Sequence, residues 1–259
     1  AAITARVAAL QGAAGVQTWM EPFFAAPPVL TLTSAFPRAG SVRLFPVPLR
    51  TGRQLDREER IPHKTIKRLK FVSESVFRKL LEGALLTELY DEQLTFQDGQ
   101  VLVAQEDWPG LPKAVRQREL SIWGFEQRAR VALGRVQVNS NLYYTGRTNF
   151  SPQCGLWFGV QWAKTDDWLQ NFLQEILHDL GYAGLGGERS SGFGSAELQA
   201  AGSIEFFDYP GQPWVSLSRY LPKQGESAAL LHPLAAYSLE NVGGWVQSPQ
   251  QKAERRRTI

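Results

Sequence analysis

Arg189, Ser190 and Ser191 stand in the stretch Gly184-Leu185-Gly186-Gly187-Glu188-Arg189-Ser190-Ser191-Gly192-Phe193-Gly194, which also holds five glycines. Lacking Cβ, glycine takes positive φ without penalty, so its backbone N–H groups can turn inward and another backbone can come close. A guanidinium and two hydroxyls on such a loop suit a phosphodiester. Two nucleotide motifs are excluded by spacing and order. The dinucleotide fingerprint needs glycine where Arg189 stands and runs strand–loop–helix, whereas this loop follows a helix-spaced segment. A P-loop needs lysine where Phe193 stands. A glycine-rich turn without a ligand stays open on these residues alone.

Acid–base chemistry has little to draw on. Histidines occur only at positions 63, 178 and 232. His178 lies near the end of a helix-spaced segment, where the dipole favours an imidazolium, and His232 precedes Pro233. His63 alone stands among basic residues, with no second acid–base partner beside it. No His/Cys spacing or carboxylate cluster suggests a metal. The one cysteine, Cys154, excludes an intramolecular disulfide and fits a reducing cytoplasm.

The chain carries a net charge of only +3 with a pI near 9.0, so affinity for a polyanion depends on where the charge lies. Residues 43–79 hold eleven Lys and Arg against four Asp and Glu. That is net +7, which leaves the remainder net −4. Within it Lys64, Lys67 and Arg68 form a concentrated basic run suited to salt-dependent phosphate contact. Residues 50–60 show no apolar repeat and read equally as a solvated charged loop. Arg128 and Arg130 fall on one face of an alternating segment, 125–133, side by side for bridging phosphates or lying under bases. The same pattern is ordinary for the wet face of a strand. Tyr143, Tyr144, Phe150, Trp157, Phe158 and Trp162 fit either a base-stacking platform or a sheet core.

The positioning elements follow from periodicity and punctuation. At 259 residues with 43% hydrophobic and 20% charged content, the chain is an ordinary globular one, large enough for one big domain or two common ones. No run of about 18 apolar residues supports a membrane span. Residues 1–11 predict an Ala-rich helix without a start signal, and lack the basic n-region of a signal peptide. Residues 29–35 predict a strand ending at Phe36-Pro37, and 44–49, with Pro46 and Pro48, an edge strand or extended segment but not a central strand. Residues 73–83 predict a helix capped by Ser73 and stopped by Gly83, with Arg78 and Lys79 suited to its C-terminal end. Residues 91–121 read as loop-rich with a short strand at 101–104, and a domain boundary falls near 122. Strands are expected at 125–133, 142–150 and 155–162, then a helix at 167–181 with Trp168, Leu169, Phe172, Leu173, Ile176, Leu177 and Leu180 at helical spacing. After the glycine loop come short strands near 195–200, 204–207, 214–220 and 237–239, then Gly243-Gly244-Trp245-Val246. The basic tail, 252–257, fits a phosphate contact or plain solvation.

Gly-Leu-Gly, five residues including an arginine, then Gly-Phe-Gly resembles the C-terminal glycine-rich signature of the RAMP superfamily of CRISPR proteins. Further matches stand in family order: Leu32-Thr33-Ser34-Ala35-Phe36-Pro37, Leu44-Phe45-Pro46-Val47-Pro48-Leu49, Lys64-Thr65-Ile66-Lys67-Arg68-Leu69-Lys70-Phe71, Asn141-Leu142-Tyr143-Tyr144 and Gly155-Leu156-Trp157-Phe158. Together with Gly243-Gly244-Trp245-Val246 this set, covering about residues 29–247, is similar to the branch that caps the 5′ end of the guide in type III-A (Csm) effector complexes.

The resemblance implies an α+β fold of two tandem ferredoxin-like (RRM-like) domains. These would be 1–122, with a basic insertion and its first strand missing from the N-terminus, and 123–259, with the glycine-rich loop 184–194. It implies a non-catalytic, cytoplasmic RNA-binding subunit without metal or cofactor. Its partners would be the 5′ handle of the crRNA, the large polymerase-domain subunit and the repeating backbone RAMP subunit, with no membrane. Contact with RNA is expected from Gly184, Gly186, Gly187, Arg189, Ser190, Ser191, Gly192 and Gly194, from Lys64, Lys67, Arg68, Arg128 and Arg130, and from Ser34. Two alternatives stay open: a metal-independent RAMP endoribonuclease acting through His63 on CRISPR repeat RNA, and the equivalent cap subunit of a type III-B (Cmr) complex. The matches at 32–37 and 64–71 favour the Csm branch.

Overall fold

The structure, a computed structural model, describes residues 2–49, 63–133, 140–186, 189–206, 214–223, 225–240, 242–247 and 253–258. It is mixed α+β. In chain order come α1 (Ala2–Phe24), β1 (Leu30–Leu32), β2 (Phe36–Ala39), β3 (Val42–Pro46), α2 (His63–Arg68), β4 (Phe71–Ser73) and α3 (Glu74–Leu81). Then follow α4 (Leu86–Leu89), β5 (Thr95–Phe96), β6 (Val101–Leu102), α5 (Lys113–Arg116), β7 (Trp123–Leu133), β8 (Ser140–Phe150), β9 (Cys154–Trp157) and β10 (Val160–Trp162). After α6 (Asp167–Ala183) and the glycine loop, β11 (Val242–Gln247) pairs with β12 (Ala253–Thr258). Two compact units divide the chain: residues 1–35 with 158–208, and residues 36–157 with 209–259. The expected boundary near 122 falls inside the second, at the entry to β7.

In the first unit α1 is two helical arms rather than one rod. Gly12 sits at φ 66°, ψ −159°, outside helical space, and the Trp19 indole donates to Thr4 Oγ1 at 3.2 Å. Fifteen residues of straight helix would separate those groups by about 22 Å, so the chain doubles back at Gly12. The predicted helix over 1–11 therefore ends where predicted, and a second arm follows it. Val7, Trp19 and Leu30 pack with Leu169, Phe172, Leu173 and Ile176 of α6, the face that helical spacing marks as apolar. Arg6 engages Asp179 through two guanidinium nitrogens, which holds the carboxyl below its usual range and raises the guanidinium. β1 pairs antiparallel with β10, and Gly159 N donates to Thr33 Oγ1 at 2.8 Å at the end of that pair.

The second unit is built on a six-stranded sheet ordered β5-β6-β4-β3-β2-β9. All of its pairs are antiparallel except β4 with β6. β3 is interior, which corrects the expectation that Pro46 and Pro48 exclude a central strand: Pro46 is its last residue and Pro48 lies beyond it. Pro37 does not stop pairing either, since β2 pairs with both β3 and β9. β3 meets only Arg38 and Ala39 of β2, so the missing Pro37 N–H leaves no gap on that side. The expected strand 155–162 is two strands, β9 and β10, in different sheets.

Trp157 is core rather than platform. Its indole donates to Leu44 O at 3.0 Å, and its ring lies 4.8 Å from Phe45, which stacks on Phe77 of α3 at 4.7 Å. Ser73 occupies the N-cap position of α3 but makes no side-chain cap; its Oγ accepts from Ala104 N at 2.9 Å. Asp107 serves that helix start instead, accepting from Ser75 N and Ser75 Oγ at 3.2 and 2.8 Å. Arg78 and Lys79 pair with Glu74 and Glu106. The strands expected at 195–200, 214–220 and 237–239 are absent, as is strand structure at 204–206, the described part of the segment expected at 204–207. Apolar side chains there are exposed, Phe206, Trp214 and Leu239 among them.

Candidate nucleic-acid interface

The glycine loop belongs to the first unit. α6 ends where Gly184 takes φ 80° and donates from its N–H to Leu180 O at 2.9 Å. Leu185 N then donates to Gly194 O at 2.8 Å and Ala196 N to Gly181 O at 3.0 Å, so the outgoing chain is tied back to the helix end. This closure leaves no room for side chains. A Cβ on Gly194 would stand 2.0 Å from Leu185 O, one on Gly184 2.7 Å from Phe193 O, and one on Gly181 2.5 Å from Ala196 O. Gly186 (φ 92°) and Gly192 (φ 80°) face open space instead, with no described atom within 4 Å of an added Cβ. Glycine thus does two jobs: 181, 184 and 194 close the loop, while 186 and 192 leave its outer backbone approachable. Between them Arg189–Ser191 form one 3₁₀ turn with Arg189 exposed. Gly187 lies outside the described residues. Ser34 falls in the same unit, where its carbonyl accepts from Thr33 Oγ1 at 2.7 Å.

The other expected cations lie in the second unit. α2 places Lys64, Lys67 and Arg68 at i, i+3 and i+4, hence on one helix face, and all three are exposed. None is in an ion pair with a described residue. Leu69, 6% exposed, anchors the helix end, and Lys70 N and Phe71 N both donate to Gln100 O, tying the basic run to the sheet. Of the wider basic stretch, residues 50–62 lie outside the described residues.

Among the described residues β7 and β8 pair only with each other. Their register sets Arg128 opposite Thr145, Arg130 opposite Tyr143 and Glu126 opposite Arg147. Arg128 and Arg130 therefore share a face, as alternation predicts, and that face gains Arg147, which the sequence reading missed. Alternation along β8 puts Tyr143, Thr145 and Arg147 together, but only the register shows which face of β7 they join. Glu126 accepts from Arg128 Nε at 2.6 Å, Arg147 Nε at 2.8 Å and Asn149 Nδ2 at 3.2 Å. Those donors, Arg128 first, hold its carboxyl at about 2, down from the ordinary 4.5. The opposite face carries Phe125, Val131, Leu142 and Tyr144, all exposed.

This cluster makes two predictions. The lowered carboxyl stabilises the folded ribbon fully above pH about 4.5 and loses that contribution as pH falls toward 2. Glu126→Gln is therefore expected to remove part of the acid sensitivity of unfolding, measured by thermal melts from pH 2 to 5. At neutral pH the same substitution adds one net positive charge to the face. We expect RNA affinity in filter binding to rise about two- to fivefold, with a steeper salt dependence.

His178 packs edge-on against Tyr182 at 5.1 Å, and His232 Nδ1 accepts from Leu234 N at 3.2 Å. His63 is the first residue of α2. Among the described residues no group of three or more His, Cys, Asp or Glu is arranged to hold a metal ion, and no helix is long and apolar enough to cross a membrane.

No family model matches the chain, and no curated protein does. Solved structures do. A chain of the Csm3-Csm4 subcomplex in the type III-A CRISPR-Cas interference complex superposes with a TM-score of 0.50 at 17% identity, over 72% of this chain and 58% of that one. A chain of the Csm1-Csm4 cassette in complex with cA4 gives a TM-score of 0.44 at 18% identity, over 70% of this chain and 57% of that one. The chain thus shares the fold of the first of these and spans less than two thirds of its length.

Proposed function

We propose that this chain is a non-catalytic RNA-binding subunit of a cytoplasmic type III-A CRISPR (Csm) ribonucleoprotein. It holds the 5′ handle of the crRNA and joins the large polymerase-domain subunit and the repeating backbone RAMP subunit. On this reading its architecture is two tandem ferredoxin-like domains. The observation that carries it is the fold shared with a chain of the Csm3-Csm4 subcomplex, on which the superfamily's glycine signature forms a self-closed loop with open glycine faces and an exposed arginine. The sugar–phosphate backbone is bound through N–H groups at Gly186 and Gly192 and through Arg189, Ser190 and Ser191. The exposed cations of α2 and the arginine face of β7–β8 supply the salt-dependent share.

Arg189→Ala tests the loop. One charge-assisted phosphate contact corresponds to about tenfold in affinity. The variant should bind RNA carrying the guide's 5′ handle about tenfold more weakly and assemble less complex. Unchanged affinity and assembly at physiological salt would contradict the clamp.

A further inference from the structure

The second unit holds a cleft that the RNA reading does not use. It lies between the 3₁₀ turn Trp108–Gly110 and α5, has a volume of about 340 Å³, and is lined by Trp108, Lys113, Arg116 and Gln117. Lys113, Arg116 and Gln117 stand at i, i+3 and i+4 and so share one helix face. Leu111 and Val115, both buried, fix that helix from behind. Trp108 is backed on one side by Phe96, with ring centroids 5.2 Å apart. The backbone beneath is pinned, Ser41 N donating to Gly110 O at 3.1 Å.

Two features call for a ligand. Arg116 Nε is buried without a hydrogen-bond partner, the one such side-chain atom among the described residues. A buried guanidinium N–H left unpaired is costly, and Arg116 is a lining residue of the cleft. Among the described residues no carboxylate lines the cleft, and two cations do. Guanidinium and ammonium together select an anion, with phosphate as the best match to the guanidinium fork. The half-buried indole offers a flat apolar surface for a base, and the Gln117 amide one donor and one acceptor for a base edge. The volume lies near the low end of small-molecule sites, about 300–1,000 Å³, which suits a single nucleotide.

We propose that this cleft binds one nucleoside phosphate, its phosphate on Arg116 and Lys113 and its base on Trp108. The same chemistry is presented by a free mononucleotide and by one residue of a bound RNA. The test is calorimetric titration of the full chain with adenosine 5′-monophosphate, adenosine and inorganic phosphate. The monophosphate should bind, with adenosine and inorganic phosphate each at least about tenfold weaker. Arg116→Gln should weaken the monophosphate about tenfold or more, as expected for one charge-assisted contact. Lys113→Gln, at an exposed position whose change leaves packing alone, should weaken it several-fold and decides the matter if Arg116→Gln fails to fold.

Displacement of a bound single-stranded RNA by the monophosphate identifies the source as an RNA residue; simultaneous binding identifies a free nucleotide. Arg189→Ala should leave monophosphate binding unchanged, which separates this site from the loop. Absence of binding, equal affinity for inorganic phosphate and the monophosphate, or affinity unaffected by both cleft substitutions would overturn the proposal.

Discussion

Reversing Lys64, Lys67 and Arg68 to glutamate together is expected to lower affinity for single-stranded RNA by about a hundredfold or more near physiological salt. The three side chains share one exposed face of a six-residue helix, and none is spent in an ion pair with a described residue. Each phosphate contact on a single strand contributes about 0.7 to the slope of log K against log salt, so losing three should flatten that slope by about 2. The variant also repels phosphate, which pushes the loss beyond simple removal. Stability should change little, because Leu69 and the Gln100 hydrogen bonds, not the cations, anchor this segment. Filter binding across a salt series, beside thermal melts, separates the two effects. An unaltered slope would show that this face does not meet RNA.

Gly194→Ala should open the glycine loop. The position is at φ 81°, and its Cβ would lie 2.0 Å from Leu185 O and 2.8 Å from Leu185 N. Both atoms are backbone, so neither can swing aside as a side-chain tip would. Left-handed strain and overpacking together correspond to about 2–4 kcal/mol, concentrated where Leu185 N and Gly194 O close the loop. Limited proteolysis should then cut within residues 185–194, and RNA affinity should fall with it. Gly186→Ala is the contrast. Its φ of 92° is strained for alanine, but no described atom lies within 4 Å of the added carbon, so about 1–2 kcal/mol is expected and the loop stays closed. Equal proteolytic sensitivity in the two variants would contradict the division between closing and open glycines.

Local signals in the sequence were strong where one segment decides the outcome. The 3.6-residue spacing of Leu169, Phe172, Leu173 and Ile176 places them in the core of α6, and the glycine cluster does follow that helix as a loop. Alternation placed Arg128 and Arg130 on one strand face. What stayed hidden depends on partners distant in sequence. Arg147 joins the arginine face only through the β7–β8 register, and Lys64, Lys67 and Arg68 share a face only once residues 63–68 are known to be helical. Pro37 and Pro46 mark strand limits only when neighbouring strand lengths are known. Ser73 has the residue type and position of an N-cap, yet Ala104 N takes its hydroxyl. The alternation at 195–200 carries one large apolar side chain, Leu198, too little to specify a strand without an adjacent edge.

The proposed role of this chain is to hold the constant 5′ end of a guide RNA. The most direct measurement is affinity purification of the tagged full chain from its native host, with sequencing of the bound RNA and identification of co-purifying proteins. The expected result is guides of varied sequence sharing one constant 5′ end, with a large polymerase-domain protein alongside. Absence of enriched RNA, or cleavage of free repeat RNA by the isolated chain, would contradict it.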